Sequence, residues 1–437
     1  MPGWGPFRGI DRPREVFAWG MYDLANQSFQ LLINTLLFPI FLRTAVASSK
    51  EQGSSAWIVL VASSTALALL VSPFVGAIAD ARAWKKPMLI ATGVVASALT
   101  FALAFLRPGD LWLAGVIYIA AAFCVGLGEN FLGSFLPELA PPEQMGRVSA
   151  IGWTMSYIGA LLLVGLTALA IFVFNARDPG QWRWLFVAAG VWFIVGMIPS
   201  FTMMHERAKP LPVEQRRGLV ADMVRRLART AREVHRFRQL SRFFAVMFVY
   251  SLGTYTVIFY AGIIGDNLGF DIGQLSLLAL VMSATAGVGA ILAAKYQDRI
   301  GRVRAVRLFL IVWVISTGAL AIMASGALGS GGNANWFWLI AAGVGFGLGG
   351  IGTCSRAVVG AFTPPDRSGE FFGMWGMVLK LSALVGPGSF GLTSKLLGTS
   401  GALFLLVGFF VAGLLLLGLI DEKEGMAAAR QGDAGAS

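Results

Sequence analysis

The sequence predicts an all-α polytopic membrane protein, with 12 transmembrane helices in two pseudo-symmetric six-helix bundles. Three observations carry that expectation. The 437 residues are 56% hydrophobic and 13% charged, with a mean hydropathy of +0.71. A soluble domain carries about 25% charged residues, so the chain holds more apolar surface than soluble cores of this size bury. The apolar residues gather into runs long enough to span a bilayer, and a polar loop recurs half a chain apart.

The runs fall at roughly 17–43, 57–79, 87–106, 111–136, 148–174, 183–204, 241–265, 274–294, 305–326, 336–362, 371–396 and 401–420. Each has about the 20 residues that cross a hydrocarbon core as a helix. The first run is longer than a signal-peptide core and holds Asp23, Asn26 and Gln27, so it reads as a retained span.

Loop charges orient the spans. With both termini in the cytoplasm, the cytoplasmic segments hold 27 Lys and Arg and the outer loops hold 6: Arg43, Lys50, Arg107, Arg177, Arg183 and Lys395. That asymmetry is the positive-inside pattern. Trp57, Trp112, Trp182, Trp184, Trp336 and Trp338 fall at the outer helix ends, where an indole keeps its N–H wet. The net charge of +11 is thereby orientation information and calls for no nucleic acid. The expected setting is the lipid bilayer of a bacterial inner (cell) membrane.

The repeat sets the domain organisation. Ala140-Pro-Pro-Glu-Gln-Met-Gly146-Arg147 follows the fourth run, and Thr363-Pro-Pro-Asp-Arg-Ser-Gly369-Glu370 follows the tenth, 223 residues later. Asp80 after the second run and Asp298 after the eighth lie 218 residues apart. Matching offsets at two places argue for a duplication, the mark of two-bundle transporters. The expected units are an N-terminal bundle at 1–204, a linker at 205–240, a C-terminal bundle at 241–420 and a disordered tail at 421–437. In the linker, eight arginines from Arg216 to Arg238 interleave with Leu219, Val220, Met223, Leu227, Ala231 and Val234. A basic amphipathic helix on the inner leaflet and a solvated tether both fit that pattern.

Cys124 and Cys354 stand alone in apolar segments, and His205 and His235 lie in the polar stretch. These predict neither a disulfide framework nor a metal site, and no cofactor. The spans hold no histidine, and no metal or nucleophile motif is present. A membrane enzyme is therefore not expected. The glycines at 343, 345, 347, 349, 350 and 352 read as small residues that let helices approach closely. No strand pattern precedes them and no Lys-Ser/Thr follows, so a phosphate loop is excluded. Tyr22, Tyr157, Tyr250, Tyr255 and Tyr260 read first as packing residues.

Gly76-Ala-Ile-Ala-Asp80-Ala-Arg82-Ala-Trp-Lys85-Lys86 resembles the loop motif of the major facilitator superfamily, G-x-x-x-D-(R/K)-x-G-(R/K)-(R/K). Gly76, Asp80 and Lys85 match; Ala81 and Ala83 depart. The second copy, Asp298-Arg299-Ile-Gly301-Arg302, keeps acid, glycine and base, with Ala294 in place of the first glycine. Trp19-Gly-Met-Tyr22-Asp23-Leu-Ala25-Asn26-Gln-Ser28-Phe29 looks like the Y-D-x-A-N-S-x-F signature of the vacuolar-effluxer-like branch, with Gln27 inserted before the Ser. The segments 135–149 and 363–373 resemble the same branch, so the likeness spans nearly the whole chain. It implies the major facilitator fold and a secondary transporter exporting amino acids or similar small polar solutes. It also implies that Gly76, Asp80, Lys85, Asp298 and Arg302 form the cytoplasmic gate motif. In the branch's superfamily, the acid matching Asp80 stabilises the closed cytoplasmic side.

Charges inside spans are the substrate and coupling candidates, because an unpaired buried charge costs several kcal/mol. Asp23, Glu129 and Arg356 lie roughly 10 Å above the cytoplasmic helix ends and Lys380 roughly 14 Å in, at 1.5 Å per residue. The acids belong to the first half and the bases to the second. In one arrangement Asp23 and Glu129 face Arg356 and Lys380 as an electrostatic latch that substrate or a proton weakens. In the other, each charge is satisfied in its own half by Asn26, Asn130 or a backbone carbonyl. Gln27 completes the candidate set. Glu129 and Asp23 are the sites for proton coupling. Lys380 has an alternative use, holding a substrate carboxylate while an acid holds the amine. The expected function is alternating-access movement of a small polar or zwitterionic solute by a monomer. The rival readings are a lysolipid carrier and a non-transporting sensor or scaffold.

Overall fold

The computed structural model describes residues 7–140, 142–175, 178–207, 210, 237–267, 269–325, 334–363 and 368–434. Their regular structure is entirely helical. The spans are α1 (Pro13–Val46), α2 (Lys50–Arg82), α3 (Lys85–Leu103), α4 (Leu111–Ser134), α5 (Pro142–Phe174), α6 (Arg183–Met203), α7 (Arg238–Asn267), α8 (Ile272–Ile300), α9 (Arg302–Ala324) and α10 (Ala334–Phe362). The run Ser368–Leu416 contains Gly398 at φ 73°, ψ 178°. A helix does not continue through that dihedral pair, so the run is two spans, α11 (368–397) and α12 (399–416). The described residues thus contain twelve spans, as the apolar runs predict.

The expected tail differs. Asp421 onward is polar and Gly/Ala-rich, yet Glu422–Ala434 forms a helix, α13. Tertiary contacts hold it: Gln239 Nε2 donates to Glu424 Oε2 at 2.5 Å, Gly425 lies against Phe362, and Ala429 is buried. The linker arginines from Arg216 to Arg236 and the Pro-Pro-Asp-Arg loop at 364–367 lie outside the described residues.

The helices group into two compact units. One holds α1–α6 with Gly269–Leu280; the other holds α7, the rest of α8, and α9–α13. The start of α8 departs from the expected halves, and there Gly273 lies against Phe172 of α5.

The same close packing recurs inside each unit. In the first, a methyl group at Gly159 of α5 would stand 2.5 Å from the Leu24 carbonyl of α1. In the second, one at Gly386 of α11 would stand 2.3 Å from the Leu252 carbonyl of α7. The glycines of α10 serve two neighbours. Methyl groups at Gly343, Gly347 and Gly350 would strike Ser316, Trp313 and Phe309 of α9 at 2.2, 2.9 and 2.0 Å. At Gly345 and Gly349 they would strike the Met282 and Ala286 carbonyls of α8 at 2.3 and 1.8 Å. The glycine run is thus a two-sided contact surface.

The α2–α3 and α8–α9 turns are equivalent. Ala83 has φ 54° and Gly301 has φ 94°, so both turns need the left-handed region. The superfamily motif carries glycine at the Ala83 position, and alanine there is strained by about 1–2 kcal/mol. Ala83→Gly is expected to raise stability by about 1 kcal/mol, read as a higher melting temperature in detergent.

Each helix that follows is capped from a distance. Glu206, just past α6, accepts from the backbone N–H groups of Lys85 (2.8 Å) and Lys86 (3.0 Å) at the start of α3. Glu422, just past α12, accepts from those of Arg302 (2.9 Å) and Val303 (3.1 Å) at the start of α9. An acid at a helix N-terminus satisfies orphan donors and complements the helix dipole.

Candidate functional site

The polar residues of α1 recur at helical spacing: Asp23, Asn26, Gln27, Gln30 and Asn34. In its most apolar stretch α1 is 78% buried, followed by α7 at 67% and α10 at 56%, while the other spans lie between 28% and 39%. Polar side chains on α1 therefore face protein groups rather than lipid. The helix also changes winding. Pro39 lacks the N–H that an α-helix would aim at Thr35, and the preceding Ser28–Leu37 is wound as a π-helix. Thr35 Oγ1 donates to the Gln30 carbonyl at 3.0 Å.

Glu129 of α4 is the centre of the polar set. Asn26 Nδ2 donates to Glu129 Oε1 at 2.8 Å and Gln30 Nε2 donates to the same oxygen at 2.7 Å. Two donors on one oxygen suit an ionised carboxylate, which is acceptor-only. Of the arrangements expected for Glu129, bonding to Asn26 within its own half is present. Gln27 turns elsewhere, donating to Ser156 Oγ of α5 at 2.6 Å. Trp19 Nε1 donates to the Leu132 carbonyl at 2.7 Å, and Tyr118 OH donates to Asn34 Oδ1. These bonds fix α1 against α4. Asp23 is half-buried on α1, and Asn130 is exposed beside Glu129. Tyr22 is a packing residue, fully buried and edge-on to Phe193 at 5.6 Å.

In the second unit, the Arg356 guanidinium of α10 lies over the Trp375 ring of α11 at 5.1 Å. A cation over an aromatic face is attracted by the ring's quadrupole, which favours the charged guanidinium there. Beside it, Ser355 Oγ and Tyr250 OH share a hydrogen bond at 2.6 Å. Lys380 is half-buried on α11.

The gate-motif residues divide. Gly76 and Asp80 lie in the last turns of α2. Lys85 pairs with Glu138 at 3.1 Å, both side chains being 14% exposed. Glu138 also accepts from the Arg207 backbone N–H at 2.7 Å, while Arg207 bonds Glu15 at 2.9 and 2.5 Å. Asp298 and Arg302 pair at 2.8 Å across the α8–α9 turn. Gln30, Ser156, Glu138, Glu206 and Glu422 all act here without standing among the expected site residues. Among the described residues, no cluster of three or more His, Cys, Asp or Glu could hold a metal.

Comparison with known proteins places the chain. The family model described as "Vacuole effluxer Atg22 like" matches residues 46–146 and 142–430. An uncharacterized MFS-type transporter, YxiO of Bacillus subtilis, is 26% identical over 93% of this chain and 94% of its own length. Autophagy-related protein 22-1 of Emericella nidulans is 24% identical over 74% of this chain and 68% of its own length. The crystal structure of the nucleoside transporter NupG superposes with a TM-score of 0.70 at 10% identity, covering 93% of this chain and 98% of NupG. At these identities the structural likeness shows the major facilitator fold. The chain is a multi-pass membrane transporter, not an enzyme, and it belongs to the vacuole effluxer Atg22-like family.

Proposed function

We propose that the protein moves small zwitterionic solutes, amino acids foremost, by alternating access, with Glu129 as the coupling carboxylate. One observation carries the reading most: a carboxyl group within a span is held by amides of the most buried helix. Such a group is expensive in a membrane and marks a substrate or proton path. In the other unit Arg356 is a second charge within a span, its guanidinium 5.1 Å from the centre of the Trp375 ring. The effluxer family supports export as the direction. The 27-to-6 charge split supports an orientation with both termini in the cytoplasm.

The test is flux of labelled amino acids in proteoliposomes with and without an imposed pH gradient. Glu129→Gln and Arg356→Gln are each expected to lower flux at least about tenfold, since each removes a charge proposed to hold the solute and a charged hydrogen bond is worth about 1.5–3 kcal/mol. Glu129→Gln is also expected to abolish any response to the gradient. Normal flux in both variants would overturn the reading.

A further inference from the structure

Gln30 lies outside every motif of the sequence, yet its amide donates to Glu129 beside that of Asn26. The two amides on Oε1 differ in all but their distances. Asn26 is 1% exposed, and its Oδ1 is buried with no hydrogen-bond partner among the described residues. Turning the amide over would point that oxygen at the carboxylate, so Asn26 is a fixed donor. A buried acceptor left unsatisfied is costly and is tolerated mainly where function uses it. Gln30 is half-buried on a longer stem, and it belongs to the π-wound stretch Ser28–Leu37. Such windings concentrate at functional sites. Glu129 itself is exposed although it belongs to a span.

To a carboxylate oxygen, a primary amide and a primary ammonium present the same thing: N–H donors at about 2.8 Å. The ammonium adds a full charge, and charge-assisted hydrogen bonds are roughly twice as strong as neutral ones. We propose that Gln30 is a built-in stand-in for the amino group of the solute. Its amide occupies the amine subsite on Glu129 while no solute is bound, and a solute ammonium displaces it while Asn26 stays. The inference rests on the reading of Glu129 as a solute-facing group, and it adds a selection rule. A solute carrying a primary amine gains charge-assisted bonds in the exchange. A hydroxyl or amide solute replaces like with like and gains nothing.

The probes are butylammonium, leucine and N-acetyl-leucine, titrated against the melting temperature of the full-length protein in detergent. Butylammonium and leucine are expected to stabilise the wild type, and N-acetyl-leucine is not. Gln30→Leu and Gln30→Ala are each expected to lower the half-saturating butylammonium concentration by about threefold or more, because the subsite is no longer self-occupied. Glu129→Gln is expected to remove the response. If the Gln30 variants bind butylammonium more weakly than wild type, Gln30 is a ligand or brace and the stand-in is overturned. Equal stabilisation by N-acetyl-leucine, or no butylammonium response in wild type and Gln30 variants alike, overturns it too. If butylammonium behaves as expected and leucine does not bind, the amine subsite stands and the amino-acid reading falls.

Discussion

Alanine at Gly349 is expected to lower the melting temperature sharply or to prevent the protein from accumulating. The added methyl would stand 1.8 Å from the Ala286 carbonyl oxygen and 2.6 Å from its carbon. Neither atom can rotate away, because both belong to the backbone of α8. Relief requires α8 and α10 to separate, which also loosens Gly345 against Met282. Overpacking of a core typically costs about 1–3 kcal/mol, and a backbone obstacle puts this site at the upper end or beyond. Gly352→Ala is the control on the same helix, since a methyl there meets nothing within 4 Å. Alanine is favoured over glycine in a helix by about 1 kcal/mol, so that variant is expected to hold or raise stability. Equal melting of the two variants would refute the two-sided packing surface.

Ending the chain at Ile420 is expected to destabilise the second unit by about 2–4 kcal/mol, on the scale of lost caps and lost hydrogen bonds to charged groups. The truncation removes both bonds from the α9 N-terminus to Glu422, and the Gln239–Glu424 bond. Glu422→Ala isolates the cap and is expected to account for about 1–2 kcal/mol of that cost. Glu206→Ala should act alike on α3. Lys423→Ala serves as the control, being an exposed neighbour in α13. Limited proteolysis and thermal melts report the result. A chain ending at Ile420 that melts like the full-length protein would show that α13 contributes nothing.

The spans were legible because a bilayer imposes one rule, an apolar stretch of fixed length, on every crossing. Even the α11–α12 break was readable, since Gly398 separates two apolar runs. The tail was not readable. Its polar, alanine-rich sequence carries no core pattern, and its order comes from contacts with Gln239, Arg302 and Phe362, distant in sequence. The site shows the same division. Asp23, Glu129, Arg356 and Lys380 stand out as charges in apolar runs. Gln30 and Ser156 do not, because neutral polar residues are common in spans and only geometry shows whom they meet. The partners of the gate motif were hidden likewise. Lys85 pairs with Glu138, 53 residues on, a contact that its place in the motif does not announce.

The distant caps bear on biosynthesis. A ribosome delivers the α3 N–H groups about 120 residues before Glu206 emerges to accept from them, and the interval from Arg302 to Glu422 is nearly the same. Each of these caps therefore forms only after translation has moved well past the helix it serves. Both carboxylates also stay with their own helices if the polypeptide is cut anywhere between Arg207 and Phe237. Two separately translated fragments divided there would each carry the carboxylate that caps its own α3 or α9.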